Sequence, residues 1–121
     1  MKHNFRLLQI WKSGIDIAVK TYTHCKSFPK EEIFGLSAQM KKAAVSISSN
    51  IAEGCGRGTD AQLTCFLDIS LDSACELETQ IVIAQKLQFL SDGEAMEWIR
   101  DIHSEQKQIR SFRDKVSAGL L

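Results

Sequence analysis

The stretch LSAQMKKAAVSISSNIAEGCGRG, residues 36–58, decides the fold because it predicts a long helix and the turn that follows it. At about 100° per residue, one side of this helix is apolar and consists of Leu36, Met40, Ala43, Ile47 and Ile51. The nearly opposite side is also apolar and contains Ala38, Val45 and Ala52. A helix that is apolar on two sides is usually buried on both. We therefore expect a second contact for this helix, most simply with another subunit.

The glycines that close this stretch resemble a phosphate-binding loop, but their position argues against one. Gly54, Gly56 and Gly58 follow the helix, whereas a phosphate loop precedes a helix whose free N–H groups meet the anion. The C-terminus of a helix presents the negative end of its dipole. The sequence therefore predicts a C-cap glycine at Gly54 and a tight turn after it. A weaker hypothesis is left open, namely that Arg57 and the free N–H groups at the predicted helix start, Thr59, bind a nucleic-acid phosphate.

Helical periodicity covers most of the chain. The predicted helices span residues 8–27, 30–54 with a break near residue 35, 60–88 and 92–117. Pro29 suits the first turn of the second helix, and capping boxes begin at Thr59 and Ser91. Short connections make successive helices antiparallel. The sequence thus predicts a single domain over residues 1–121, an all-α, up-and-down antiparallel four-helix bundle.

Composition is that of a globular protein, with 44% hydrophobic and 25% charged residues. No apolar run approaches the ~20 residues of a membrane span, and the N-terminus lacks the features of a signal peptide. We therefore expect a cytoplasmic protein with no membrane contact.

The formal net charge of zero conceals an asymmetry between the two halves. Residues 1–58 contain nine Lys or Arg and four acids, whereas residues 59–121 contain six Lys or Arg and eleven acids. Such a pattern is produced by a basic binding face. It is equally produced by a basic half that packs beside an acidic half, within one chain or between subunits.

Metal and cofactor sites are not indicated. The four cysteines form no CxxC pair, and the three histidines share no ligand spacing. Cys65 and Cys75 are ten residues apart on one predicted helix, which is ~15 Å and too far for one bridge or one metal. We expect free thiols, no metal and no cofactor. Trp11 and Trp98 lie on apolar helix faces, which predicts core packing rather than stacking on bases.

A polar edge on the second helix is the strongest candidate for catalysis, and it consists of Gln39, Ser46, Asn50 and Glu53. A nucleophile among them would need an activating base, and no histidine lies near in sequence. The alternative is a hydrogen-bonded network that locks the helix against its neighbours. We favour the structural role, and we expect the protein not to be an enzyme.

The basic residues are the remaining candidates for function. Lys41 and Lys42 are adjacent on the second helix, and Lys12, Lys20 and Arg57 extend the surface. Lysines bind phosphates through charge without reading sequence. The alternative is that these residues form an ordinary solvated face.

Three segments together carry a family resemblance: IWKSGIDIAVKTY, FPKEEIFGLSAQMKKAAVSISSNIAEGCGRG and FLDISLDSACELETQIVIAQKLQFL. They resemble the four-helix bundle family of the 23S rRNA intervening-sequence proteins, whose fold is shared by the accessory variability protein of diversity-generating retroelements. The residues that carry the resemblance are Gly35-Leu36, Gln39, Ala43-Ala44, Ser46-Ile47, Asn50 to Gly54, Arg57, and Glu76-Leu77-Glu78.

The resemblance implies a ring-shaped homopentamer. In the accessory protein a basic ring surface contacts nucleic acid and a reverse transcriptase, and a paired basic position of the family falls on Lys41 and Lys42. The resemblance therefore favours an oligomeric, non-enzymatic protein that binds nucleic acid, structured RNA in particular. The alternative is a protein-interaction scaffold or accessory subunit with little affinity for RNA, which the zero net charge of this chain favours.

Overall fold

The computed structural model describes residues 2–121, and within them it contains four long helices and no strand. The helices are α1 (Gln9–Cys25), α2 (Leu36–Cys55), α3 (Asp60–Lys86) and α4 (Asp92–Ser117). Two short 3-10 helices, Phe5–Leu7 and Lys30–Glu32, precede α1 and α2. The predicted all-α four-helix bundle is confirmed.

The second predicted helix is interrupted where the sequence predicts its break: the 3-10 helix Lys30–Glu32 comes first, and α2 begins at Leu36. Gly35 has φ −107° and ψ −116°, outside the helical region, so the 3-10 helix before it does not continue into α2. The Glu32 carboxylate accepts a hydrogen bond from the Leu36 backbone N–H at 3.2 Å and so serves a free donor at the new helix start.

Both capping signals at the later helices correspond to real hydrogen bonds. Thr59 Oγ1 accepts from the Gln62 backbone N–H at 3.2 Å at the start of α3. At the start of α4, Ser91 Oγ accepts from the Glu94 N–H, and the Glu94 carboxylate accepts from the Ser91 N–H, both at 3.1 Å. These reciprocal bonds satisfy donors that a helix start leaves free.

Gly54 lies inside α2, and the predicted C-cap at this position is wrong. The helix continues to Cys55, and Gly56 follows it with φ −81°, in the right-handed region. A Cβ at Gly54 would lie 2.8 Å from Phe66 Cβ and 2.9 Å from Leu63 Cδ1. The glycine therefore allows the end of α2 to approach α3 closely, and its role is packing rather than termination.

The bundle packs each helix against two neighbours, in the order α1, α2, α3, α4 and back to α1. Gly14 lies beside Ser48 and Tyr22 lies beside Lys41, so α1 and α2 run antiparallel. The α1–α4 interface is the smallest of the four. The largest fully buried apolar side chains are Trp98, Met40, Ile47, Ile51, Leu67, Leu77, Ile81, Ile102 and Ile109.

Candidate nucleic-acid interface

The lysine pair on α2 lies at the surface of the α1–α2 half of the bundle. Lys42 is exposed, and Lys41 is half-buried with its Nζ 4.9 Å from the centre of the Tyr22 ring. Neither lysine has an ion-pair partner among residues 2–121. The face of an aromatic ring attracts a cation but does not replace an anionic partner. Both side chains are therefore placed to meet an anion.

Lys20 differs from this pair because its charge is already compensated. Its Nζ donates to Asp101 at 2.8 Å and to Glu97 at 3.3 Å, both on α4. Burial lowers the pKa of Lys20, but the hydrogen bonds and charges of these two carboxylates outweigh it, so that the pKa is raised. A phosphate contact at Lys20 would have to displace both carboxylates.

Arg57 and Lys12 lie toward the other end of the same half. Lys42 and the end of α2 at Cys55 are thirteen residues apart, or ~20 Å along the helix. Arg57 is exposed, and its guanidinium lies 4.8 Å from the centre of the Phe66 ring. Lys12 is exposed on the first turns of α1, which run beside the last turns of α2. Arg57 and Lys12 are therefore separated from Lys41 and Lys42 along the bundle, and the five predicted contacts do not form one compact patch.

The polar edge of α2 contributes to the α2–α3 interface. Asn50 Nδ2 donates to both the Ser46 carbonyl and Ser46 Oγ at 2.8 Å, and Ser46 Oγ shares a 2.8 Å hydrogen bond with Ser73 Oγ. Gln39 and Glu53 are exposed and have no side-chain hydrogen bond within the described part of the chain. The edge therefore divides into a pair that contacts α3 and two solvent-exposed residues.

Sequence analysis missed the α3 side of this network. Besides Ser73, Ser70 is fully buried, and its Oγ donates to the Ile47 carbonyl at 2.8 Å. Both serines occupy core-facing positions of α3, in a face that is otherwise mostly apolar. Polar residues at core positions are the signal that could have identified them, because buried hydroxyls require partners.

Sequence analysis also missed Glu105, a buried carboxyl on α4. It follows Ile102 by three residues and precedes Ile109 by four, so it lies on the apolar face of the helix. Its exposed fraction is 1%, and neither carboxyl oxygen has a hydrogen-bond partner within residues 2–121. Burial raises the pKa of Glu105 to about 8. An acid in the middle of an apolar row was the available signal.

An exposed apolar surface runs along α1 and α2 on the outer side of the bundle, and we name it the outer apolar face. It comprises Ile15, Val19 and Tyr22 of α1 and Val45 of α2. Their exposed fractions are 37%, 61%, 46% and 41%. The second apolar side of α2 that the sequence predicts is therefore uncovered in the single chain. Large exposed apolar surfaces mark interaction sites.

Two kinds of site can be checked directly within residues 2–121, a metal centre and a membrane-spanning helix. No cluster of three or more His, Cys, Asp or Glu suited to a metal occurs within residues 2–121. None of the helices in that range is long and apolar enough to cross a membrane.

His24 stacks on the buried Trp98 with ring centres 4.4 Å apart, and burial lowers the pKa of its imidazole. This histidine therefore contributes to packing between the last turn of α1 and α4.

These features define a class of protein: an antiparallel four-helix bundle with basic groups and an apolar face on its α1–α2 side. The chain belongs to the family of 23S rRNA-intervening sequence proteins, whose family model matches residues 6–111.

A solved structure has the same fold. It is the crystal structure of a protein of unknown function from the S23 ribosomal protein family of Bacteroides thetaiotaomicron. The two chains are 19% identical with a TM-score of 0.80, and the match covers 87% of this chain and 95% of that chain. At this identity the likeness shows the fold alone. No curated protein matches the sequence.

Proposed function

We propose that this protein is a non-enzymatic, self-associating bundle that binds structured RNA through the basic groups of its α1–α2 half. The observation that carries the proposal is the pair Lys41 and Lys42, two cations without a carboxylate partner in the described chain. The family name, with its reference to 23S rRNA, supports RNA over DNA as the nucleic acid. A cytoplasmic location accompanies this proposal.

The distribution of acids supports the same surface. Lys2 pairs with Asp60, Lys20 pairs with two acids of α4, and His24 lies 3.8 Å from a carboxylate oxygen of Glu94. These contacts join the basic first half of the chain to its acidic second half. Lys12, Lys41, Lys42 and Arg57 take no part in them, so their charge remains available to an outside anion.

Self-association would strengthen weak contacts. Two lysines in one subunit give little affinity, but a ring repeats them at each subunit and makes their binding multivalent. The outer apolar face offers the surface through which copies would associate. A homopentamer, as the family resemblance implies, would present ten such lysines.

A salt series of RNA gel shifts tests the proposal. We expect a structured stem–loop RNA to be retained at low salt and lost steeply as salt rises, since phosphate binding releases counterions. The double variant Lys41→Glu and Lys42→Glu should abolish the shift. The matched control is Lys86→Glu with Lys107→Glu, which makes the same charge change at exposed sites on α3 and α4. Equal binding by both double variants would refute the proposed surface.

The second candidate is a protein-interaction scaffold or accessory subunit, and the outer apolar face favours it. That face is exposed in the single chain, and a protein partner would cover it as well as another copy would. This alternative predicts assembly without RNA retention. Light scattering, combined with the gel shift, separates the two: oligomers that bind no RNA at low salt would support the scaffold.

A further inference from the structure

Phe34, in the connection between α1 and α2, is the most exposed large apolar side chain within residues 2–121, with an exposed fraction of 96%. A phenylalanine ring buries roughly 150–250 Å² when it packs, so folding normally covers it. At 96% exposure almost nothing in the chain covers this ring. The ring is therefore free to contact a flat partner from outside the chain.

The connection that carries this ring is held in place by its own backbone. The N–H groups of Glu32, Ile33 and Gly35 donate to carbonyls three residues earlier, at 3.0 to 3.1 Å. At the start of the connection, Phe28 is 6% exposed and packs on Phe89 with ring centres 5.4 Å apart. The same segment thus buries one phenylalanine and presents another. A group that is ordered before binding loses little freedom when a ligand covers it.

Cations without an ion-pair partner in the described chain share this end of the bundle. They are Lys26, Lys30, Lys41 and Lys42. The first two precede the ring in sequence, and the other two lie five and six residues beyond Leu36, which is ~8–9 Å along α2. The connection also contains two acids, Glu31 and Glu32, and the Glu32 carboxylate accepts from the Leu36 N–H at 3.2 Å. The positive charges therefore outnumber the negative ones around the exposed ring.

The size of the apolar surface favours a nucleic-acid base over a protein partner. Ile33, with an exposed fraction of 52%, is the other exposed large apolar side chain of the connection. Two such side chains offer on the order of a few hundred Å², whereas a stable protein interface buries about 1,200 Å² or more. A base needs only one face of one ring, and lysines contact the phosphates beside it.

We propose that Phe34 stacks on an unpaired base of the bound RNA, so that the protein prefers a loop or bulge to an unbroken duplex. This inference rests on the proposed RNA binding and adds which part of the RNA is contacted. Bases in a duplex are stacked on each other, whereas loops and bulges leave bases that an aromatic side chain can reach. Every base has a π-face, so stacking is tolerant of sequence. We therefore expect a preference for unpaired bases without a preference for their identity.

Gel shifts with two stem–loop RNAs of equal length test this inference. The first has an ordinary loop, and the second has abasic nucleotides in the loop, so that it keeps every phosphate but lacks the bases. We expect wild type to bind the first RNA about tenfold more tightly, within the usual range for one base on an aromatic side chain. Phe34→Ala should bind both RNAs with the affinity of wild type for the abasic RNA. Its salt dependence should equal that of wild type, because the same phosphates are neutralised.

The variants are chosen so that folding does not obscure the result. Phe34→Ala removes a side chain that is 96% exposed, so the fold should tolerate it, and Phe34→Trp should retain the preference for the RNA with bases. The matched control is Leu7→Ala, which removes an apolar side chain that is 73% exposed before the start of α1 and should change neither affinity.

The possible failures of this inference and of the proposed function are distinguishable. Equal binding of the two RNAs by wild type, or an undiminished preference in Phe34→Ala, would overturn base stacking and leave phosphate binding by the lysines intact. If wild type bound neither RNA at low salt, the proposed function and this inference would both be overturned.

Discussion

The carboxyl group of Glu105 on α4 lies against the backbone of Gly14 on α1. One carboxyl oxygen is 3.2 Å from the position that a Cβ at Gly14 would occupy. Ser48 Cβ of α2 is also 3.2 Å from that Cβ position. Three helices therefore converge on a point where one contributes a glycine and another contributes an acid. The glycine leaves just enough room for the carboxyl group, which is consequently buried without a partner.

The stability of the protein should fall as pH rises from about 4.5 to about 8 because of Glu105. Its folded-state pKa of about 8 is above the ordinary value of 4.5, so the folded protein holds a proton that the unfolded chain has lost. The stabilisation by the neutral acid is complete below pH 4.5 and is lost progressively up to pH 8. The slope approaches ~1.4 kcal/mol per pH unit, which amounts to a few kcal/mol over this window.

Urea unfolding at pH 5 and pH 8 measures this effect, with Glu105→Gln as the comparison. Because Gln does not titrate, the difference in unfolding free energy between wild type and variant should change by a few kcal/mol between the two pH values. Other titrating groups cancel in that difference. A difference that stays constant with pH would show that Glu105 is not the group responsible.

Substitution of Gly54 by alanine should destabilise the bundle by ~1–3 kcal/mol, the usual cost of overpacking a core. The new Cβ would lie 2.8 Å from Phe66 Cβ and 2.9 Å from Leu63 Cδ1, so α2 and α3 would have to move apart. Gly58→Ala is the control, since nothing lies within 4 Å of its added Cβ. Thermal unfolding of both variants checks the prediction, which fails if they melt together.

Removal of the Ser73 hydroxyl should cost ~1 kcal/mol, as expected for one partly buried hydrogen bond. Ser73→Ala leaves Ser46 Oγ with its bond from Asn50 Nδ2 but without its contact to α3. A double-mutant cycle with Ser46→Ala measures the interaction directly by urea unfolding. Additive effects of the two substitutions would mean that this hydrogen bond does not stabilise the α2–α3 interface.

A charge on the outer apolar face should dissociate the oligomer that we propose. Val45→Asp places a carboxylate where the side chain is 41% exposed in the single chain, so the fold should tolerate it. Burial of that charge between subunits would be costly. Ile83→Asp on α3, where the side chain is 43% exposed, is the matched control. Light scattering should report a lower molar mass for Val45→Asp than for wild type, and an unchanged molar mass for Ile83→Asp. An equal effect of both variants would argue against association through the outer apolar face.

Much of the fold was predictable because its signals are local. The apolar period of α2 and the capping bonds at Thr59 and Ser91 depend on residues within one or two turns of each other. The break near residue 35 was predictable as well, because it depends on the local presence of Gly35. The hydrogen bond from the Leu36 N–H to the Glu32 carboxylate was not, because periodicity does not carry such details of geometry.

The candidate sites were less predictable because they depend on distances between helices. Lys20 and Asp101 are 81 residues apart in sequence and 2.8 Å apart in space, so sequence analysis could not separate Lys20 from Lys41 and Lys42. For Glu105, a place in the apolar row of α4 was a signal of burial that sequence analysis did not use. The lack of a partner followed only from what α1 and α2 present opposite it.

The sequence by itself determined the four helices, their antiparallel order and the family, because periodicity, caps and short connections act within each segment. The tertiary structure decided which charges are free and which are compensated, and that a buried acid packs against Gly14 without a hydrogen-bond partner in the described chain. Electrostatic energy depends on the separation of groups in space and on their burial. Neither quantity is set until residues from different helices are brought together.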